Sequence, residues 1–459
     1  MLSNKRYTHK KRRRGINMKP ELLSPVGDWD TLASAIKAGA DAVYFGIKHI
    51  NMRSGSARNF DISELTKLMK ELHKNNMQGF LTLNTTVYDH ETNRIEKILD
   101  EVKKSKVDAV IASDLAVIQM CNDQDIEVHV STQMSVSNYQ SVKFLSKYSP
   151  RIVLARECTL EQIKSMKKRI KEDQLNFKGR EIELETFVHG SLCVAVSGRC
   201  FMSQHHNRLS ANRGQCLQEC RKKYRITDVE DPRREFILDN NYVMSPKDLC
   251  TLPILDQLVK IGINVFKIEG RAKGPEYVYT VTNAYRKAID LIDKKQFTKK
   301  KALVLVKELD KVFNRGFTSN FYLGTPTNDS WTKFYGSIAK EKKTRVGKVN
   351  NYYSKQRVVS IIIDQTDLKE GDEICFTGPT TGYYKTKAKG LIVNEKKVKT
   401  AKKDEEVTFK VNNQVRVSDT AYIIQKRNVD KEEQNVNEQL AKIGIYKPFK
   451  FTKQDRGMA

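Results

Sequence analysis

The chain lacks any apolar run approaching the roughly 18 residues that a membrane span requires. It opens on charged residues and shows no apolar core of a secretory signal. Membrane and export classes are set aside, and a reducing cytoplasm is the expected location. The HExxH zinc-protease motif is missing, since His90-Glu91 continues as Thr92-Asn93-Arg94, and so is the G-x-S-x-G elbow of serine hydrolases. The C-x3-C-x2-C triplet of radical S-adenosylmethionine enzymes is absent as well. What the chain does have is charge of one sign and a knot of thiols.

The formal net charge is +27 over 459 residues. Such an excess points to a polyanionic partner, because attraction to phosphates raises encounter rates and adds affinity through counterion release. RNA is the natural candidate; the plain alternative is a host whose proteins are all lysine-rich. Lys5, Arg6, Lys10, Lys11, Arg12, Arg13, Arg14 and Lys19 concentrate part of the charge at the start. A run of this kind is disordered by self-repulsion and reads either as a nucleic-acid arm or as an extension upstream of Met18.

Half of the eight cysteines lie between Glu185 and Cys220. Cys193, Cys200, Cys216 and Cys220 stand in a C-x6-C-x15-C-x3-C arrangement. In a reducing compartment, clustered thiols bind metals or do redox chemistry more often than they form disulfides. Only Cys216 and Cys220 approach the tight knuckle of structural zinc sites, and the wider spacing of Cys193 and Cys200 suits an iron–sulfur cluster at least as well. Cys250 lies a short hairpin further on and is an alternative fourth ligand in place of Cys220. Cys121, Cys158 and Cys375 read as ordinary buried thiols. Cys193 close to His189 and Glu185 is a nucleophile–base arrangement on paper only.

Eight short apolar runs alternate with helix-period segments: Glu21–Ser24, Ala42–Gly46, Gly79–Asn84, Ala109–Asp114, Glu127–Thr132, Ile152–Arg156, Leu184–His189 and Val265–Glu269. Eight strands with intervening helices, such as the one carrying Leu65, Leu68, Met69 and Leu72, predict a (β/α)8 TIM-like barrel. The strands end in Ser24, Asn84, Asp114, Ser131-Thr132-Gln133, Arg156-Glu157, His189 and Glu269. In a barrel these ends converge on one face, where active sites are built. Between the seventh and eighth strands lies a long connection holding the cysteines, a hairpin (Tyr224–Thr227 with Phe236–Leu238 and Tyr242–Met244) and a helix over Leu252–Ile261. A helix near Tyr277–Ile292 follows. From about Thr344 the pattern becomes all-β, with runs Arg345–Val349, Val358–Ile363, Asp372–Thr377, Gly390–Val393, Glu406–Val411 and Thr420–Ile424. The expected organisation is a basic extension over 1–18, the barrel over 19–295 with a cysteine-rich insertion at 190–250, a helical linker over 296–343, a small all-β barrel over 344–428 and a basic tail over 429–459.

The run Glu185-Thr186-Phe187-Val188-His189-Gly190-Ser191-Leu192-Cys193, with Ser197-Gly198-Arg199-Cys200, Met202-Ser203, Asn212-Arg213-Gly214, Cys216 and Cys220, resembles the signature of the U32 peptidase-like family. Further matches are Glu21–Pro25, Ala42–Gly46 continuing to Arg53, Arg58, Asn59 and Phe60, then Ser131-Thr132-Gln133, Ser245-Pro246-Lys247-Asp248-Leu249 and Lys267-Ile268-Glu269-Gly270-Arg271. The resemblance covers about residues 18 to 430. The family was named for collagenase-like proteolysis. It also holds RNA hydroxylation proteins with an iron–sulfur cluster, one branch acting on the tRNA wobble uridine with prephenate as hydroxyl source, another on a 23S rRNA cytidine, and a third on ubiquinone precursors.

The tRNA branch is the nearest resemblance. It implies a [4Fe-4S] cluster on Cys193, Cys200, Cys216 and Cys220, prephenate as co-substrate, tRNA or another RNA as partner, and room for a homologous partner subunit. A dicarboxylate needs cations, and Arg53, Arg58, Arg156, Lys247, Lys267 and Arg271, with Gln133, are the candidate substrate-binding residues. Glu185, His189, Asp114 and Glu269 are the candidate catalytic groups. The other readings are a U32-type peptidase, hydroxylation of a 23S rRNA cytidine, and a non-catalytic RNA-binding protein with a zinc-stapled loop.

Overall fold

The computed structural model describes residues 19–222, 226–231, 235–236, 244–332, 334 and 336–442. Eight parallel strands close into a barrel: β1 (Glu21–Pro25), β2 (Ala42–Phe45), β3 (Gln78–Leu83), β4 (Ala109–Ala112), β5 (Val128–Val130), β6 (Arg151–Val153), β7 (Glu183–Gly190) and, after the insertion, β9 (Val265–Ile268). Each pairs with the next, and β9 pairs with both β1 and β7, which closes the ring. The helices α1 (Trp29–Lys37), α2 (Leu65–Lys74), α3 (Thr92–Ser105), α4 (Leu115–Asp123), α5 (Tyr139–Leu145) and α6 (Leu160–Glu172) follow the first six strands in turn.

Local chemistry sets these boundaries. Capping boxes open α1 at Asp28 with Thr31 and α6 at Thr159 with Gln162, satisfying orphan amides of the first turns. The apolar stripe of α2, Leu65, Leu68, Met69 and Leu72, is buried as its spacing predicts. It lies so close to β3 that a Cβ at Gly79 would stand 2.6 Å from Leu72 Cδ1. Several expected strand ends, among them Asp114, Thr132, Arg156 and Glu269, fall just beyond the ladders, because the chain there turns into caps and loops.

Alternate strand residues face the helices or the barrel interior. The interior holds a small cluster that includes Leu23, Tyr44, Phe80, Ile111 and Val265. It also holds charge: Arg151 binds Glu21 at 2.8 Å and Glu183 at 2.8 Å, and Lys267 binds Glu185 at 2.7 Å.

The connection from β7 to β9 is mostly irregular among the described residues, and up to Lys222 it holds one short helix, α7 (Met202–Asn207), and three single 3-10 turns. Within it, Ile226–Thr227 pairs antiparallel with Glu235–Phe236; Tyr224 and most of the remaining expected hairpin, 237–243, lie outside the described residues. The connection then forms β8 (Asp248–Cys250), antiparallel to the end of β7 and parallel to β10 (Phe317–Thr318). The expected helix over Leu252–Ile261 is a 3-10 turn leading into α8 (Leu255–Ile261). After β9 come α9 (Pro275–Asp293) and α10 (Lys299–Leu309). The 296–343 segment is thus more than a linker, since β10 joins the barrel's sheet.

The remaining chain folds into an antiparallel sheet with its own core, including Val346, Val359, Ile361, Ile374, Phe376 and Phe409. Its main strands are β11 (Glu341–Tyr353), β12 (Val358–Ile363), β13 (Glu373–Gly378), β14 (Gly382–Lys387), β15 (Glu406–Lys410) and β16 (Thr420–Lys426). The order is β14-β13-β16-β11-β12-β15, extended by Ile392–Val393 and Lys396–Lys397, with no pairing between the two edges among the described residues. Strand β14 did not stand out in the sequence, where GYYKTK offers tyrosines and lysines instead of an aliphatic run. It rests on α1: Lys37 Nζ donates to the Thr381 carbonyl at 2.7 Å, and a Cβ at Gly382 would stand 2.7 Å from Ser34 N. The expected basic tail begins as α11 (Val429–Lys442); residues 1–18 and 443–459 lie outside the described residues.

Candidate active site

A cavity of about 180 Å³ opens at the carboxyl ends of the barrel strands. Its wall comes from the β2–α2 loop (Met52, Arg53), the loops after β5 (Gln133) and β6 (Arg156, Glu157), the cysteine segment, and the loop after β9 (Glu269, Lys273). Cys193, Cys200, Cys216 and Cys220 all line it.

Backbone requirements hold the cysteine segment in place. Gly214 has φ +84°, and a Cβ there would stand 2.1 Å from the Asn51 carbonyl oxygen. Its own carbonyl accepts from Gly55 N at 3.1 Å, joining the segment to the β2–α2 loop. Gly190, at φ +109°, lets β7 pass where a Cβ would meet the Glu269 carbonyl oxygen at 2.6 Å. Arg221, buried next to Cys220, donates to the carbonyls of Leu192 and Pro246 and to Ser245 Oγ.

The donor chemistry suits a soft metal group. Backbone amides of Met202 and Gln218 point at Cys200 Sγ and Cys216 Sγ, each at 3.4 Å. Burial pushes the Cys220 thiol up; Arg221 opposes this, and the other three cysteines push it further. Four thiolates sharing one cavity repel one another unless a cation joins them, which is the role iron or zinc plays. As placed, no three His, Cys, Asp or Glu side chains among the described residues are close enough together to hold a metal ion. Cys250 is elsewhere: it is 4% exposed, packed in the barrel core beside the Tyr285 hydroxyl, and it does not line the cavity. Its proposed place as fourth ligand is not supported by that position, because β8 turns its side chain into the core.

The cavity also gathers cations. Arg53 Nη2 binds Glu269 Oε1 at 3.0 Å. Arg156 lies 4.0 Å over the Phe187 ring and donates to the Ser191 carbonyl at 2.7 Å. Burial alone would lift the Glu269 carboxyl, but Arg53, Arg156 and Lys273 outweigh it and hold the group below the usual carboxylate range. Lys273, stacked on Phe313, is pushed down to about 8 by burial, so it exchanges a proton near neutral pH. Behind this wall Arg315 pairs with buried Asp248 at 3.3 Å and donates to Ser191 Oγ at 3.1 Å.

Of the candidates read from sequence, Arg53, Gln133, Arg156 and Glu269 join the four cysteines at the cavity. The others do not. Glu185 and Lys267 pair inside the barrel, where Lys267 and Arg151 hold the carboxylate ionised although burial opposes it. His189 is 2% exposed among Tyr277, Tyr285 and Phe317, and burial lowers it to about 3, so a working Cys193–His189 pair is excluded by position. Asp114 caps α4, accepting from Ala116 N and Val87 N, and lines a second cavity. The Arg58 side chain is 80% exposed and pairs with Asp28. Arg271 is buried against Thr82 Oγ1, and Lys247 lies along Gly316. Strand ends are shared between the barrel interior and its rim, and the sequence does not say which side of the last pleat a residue takes.

Lys273, Arg221, Arg315 and Asp248 were missed. Lys273 sits two residues past Arg271, on the same loop that carries Glu269 to the cavity. Asp248 is the next residue after Lys247, and β8 buries it. Arg315 carries no local motif.

The sequence profile of peptidase family U32 matches residues 27–332, well over half of the chain. The chain belongs to peptidase family U32. Among relatives of this U32 chain, a collagenase of Porphyromonas gingivalis is 40% identical over 408 residues, 89% of this chain and 98% of its own. An uncharacterised protease of Methanocaldococcus jannaschii is 41% identical over 415 residues, 88% of this chain and 98% of its own. The tRNA hydroxylation protein P1 of Bacillus subtilis is 34% identical over 376 residues, 80% of this chain and 85% of its own. The U32 chain is therefore more similar to two relatives named for proteolysis than to this one named for RNA hydroxylation.

Proposed function

We propose that this U32 protein hydroxylates RNA, acting on carbon 5 of the tRNA wobble uridine with prephenate as the hydroxyl source and a [4Fe-4S] cluster on Cys193, Cys200, Cys216 and Cys220. The observation that carries this reading is one cavity lined by four thiols together with Arg53, Arg156 and Lys273. Bound there, a cluster would supply the redox equivalents that side chains lack. Arg53 and Arg156 are set to take the carboxylates of a dianion, Glu269 keeps Arg53 in place, and Lys273 is able to give or take a proton. The net charge of +27 favours an RNA partner. No helix among the described residues is long and apolar enough to cross a membrane.

The relatives named as a collagenase and a protease favour a peptidase as the second reading. Against it, no histidine is among the residues lining the thiol cavity, so Cys193 lacks a general base of the usual kind there. Nucleoside mass spectrometry of tRNA from cells with the wild-type chain, with Cys216→Ala, and without the chain tests the proposal. A 5-hydroxylated uridine present only with the wild type supports it. Unchanged nucleosides, together with gelatin cleavage that survives Cys216→Ala, overturn it in favour of proteolysis.

A further inference from the structure

A second cavity, of about 200 Å³, adjoins the first and shares Met52, Gln133 and Ser197 with it. Its other lining residues include Asn84, Ser113, Asp114, Arg199 and Asn212. We infer that this second cavity seats the target base, a uracil turned out of an RNA loop, while the thiol cavity takes the anionic co-substrate. The inference rests on the RNA reading and adds where the base lies and which groups read it.

Charge separates the two cavities. Arg53, Arg156, Lys273 and Arg221 line the first and outnumber the carboxylates of Glu157, Glu219 and Glu269 there by one. The second has one guanidinium and one carboxylate, and both Asp114 oxygens are taken up by backbone amides, Val87 N and Ala116 N, each at 3.0 Å. The rest of its polar wall is neutral amide and hydroxyl. A dianion is better held in the first cavity; an uncharged, flat molecule rich in hydrogen-bonding edges fits the second.

The donor pattern favours uracil over cytosine. Gln133 Oε1 already accepts from Asn84 Nδ2 at 3.1 Å and from Ser131 Oγ, so Gln133 turns its Nε2 donor elsewhere. Arg199 spends one nitrogen on the Gln133 carbonyl at 3.0 Å and is otherwise exposed. Both residues thus keep a donor and share the cavity's lining with Asn212, whose amide can accept as well as donate. Uracil offers two carbonyl acceptors with one N–H between them, whereas cytosine replaces one carbonyl with an amine.

The rim adds a stacking surface. Tyr88, 54% exposed, stacks on His90 with 6.0 Å between ring centroids and 11° between planes. The Arg213 guanidinium lies 5.0 Å from the Tyr88 ring centroid and donates to the carbonyl of Thr86, which lines the cavity. Proteins that act on an extruded base hold neighbouring bases on such platforms.

The test uses the full chain and anticodon stem–loop RNAs with uridine, cytidine or an abasic site at the first anticodon position, with affinity read by fluorescence anisotropy. The wild type is expected to bind the uridine RNA about tenfold more tightly than the abasic one, with cytidine between them. Asn212→Ala and Gln133→Leu should erase the preference for uridine, and Tyr88→Ala should weaken all three RNAs by roughly tenfold. Salt-dependent binding of all three RNAs with equal affinity by the wild type overturns the base seat and leaves the RNA reading standing. Discrimination that survives Asn212→Ala and Gln133→Leu overturns it too. No binding of any RNA overturns both.

Discussion

Arg213 and Glu91 form a two-point ion pair: Arg213 Nη1 and Nη2 reach Glu91 Oε2 and Oε1 at 2.6 and 2.5 Å. The pair ties the cysteine segment to the loop before α3, between the thiol cavity and the Tyr88 stack. The hydrogen bond from Arg213 holds the Glu91 carboxyl at about 2, well below its ordinary 4.5.

Because that value is depressed in the folded state, the stabilisation is present above about pH 4.5 and fades as the pH falls toward 2. Glu91→Gln should cost about 2 kcal/mol at neutral pH. In urea titrations across acid pH, the gap between wild type and variant should close on the way down. A gap that stays constant would show that the pair is not ionised as described.

Alanine substitution of Cys193, Cys200, Cys216 or Cys220 should each abolish the iron and sulfide of anaerobically purified protein and its visible absorption. Cys250→Ala should keep both and cost about 1 kcal/mol of stability, as expected of a small buried thiol. A colourless wild type, or loss of iron with Cys250→Ala alone, would contradict the assignment.

Arg53→Leu removes the partner of a buried carboxylate. Full burial of both partners would make the loss about 3–5 kcal/mol. The Arg53 side chain is 33% exposed, so a loss nearer about 2 kcal/mol is expected. Conversion of RNA should fall by about a hundredfold or more, as expected when a carboxylate clamp is lost. Arg53→Lys keeps the charge without the fork and should recover only part of it.

Lys273 has its pKa lowered to about 8 from 10.5. The unfolded chain then holds the proton more tightly, so wild-type stability should rise between about pH 8 and 10.5 relative to Lys273→Met. Paired thermal unfolding curves across that range check the sign. If the proton is used in turnover, the same variant should lose any rate limb near pH 8.

The barrel was legible because each of its strands is a compact β-rich run and each helix has a periodic face, and Glu21, Ala42 and Val265 begin ladders where the sequence places them. The cysteines were legible from spacing. What escaped depends on tertiary contacts. His189 and Glu269 both follow from strands, yet one faces the core and the other the cavity. Arg315 reaches the site only because Phe317–Thr318 pairs with Asp248–Leu249, a two-residue ladder too short to leave a pattern. In β14 two adjacent tyrosines followed by lysines hide a strand whose position is set by bare backbone against α1.

That close approach at Gly382 makes α1 a wall shared by both halves of the molecule. At its start, Asp28 caps the helix and Gly27 sits where a Cβ would meet the Arg271 carbonyl oxygen at 2.2 Å; at its middle, Ala33 and Ser34 face the β-sheet. The barrel is consequently not a detachable unit. A protein trimmed after residue 340 would leave the outer side of α1 and the Tyr279 ring without their cover.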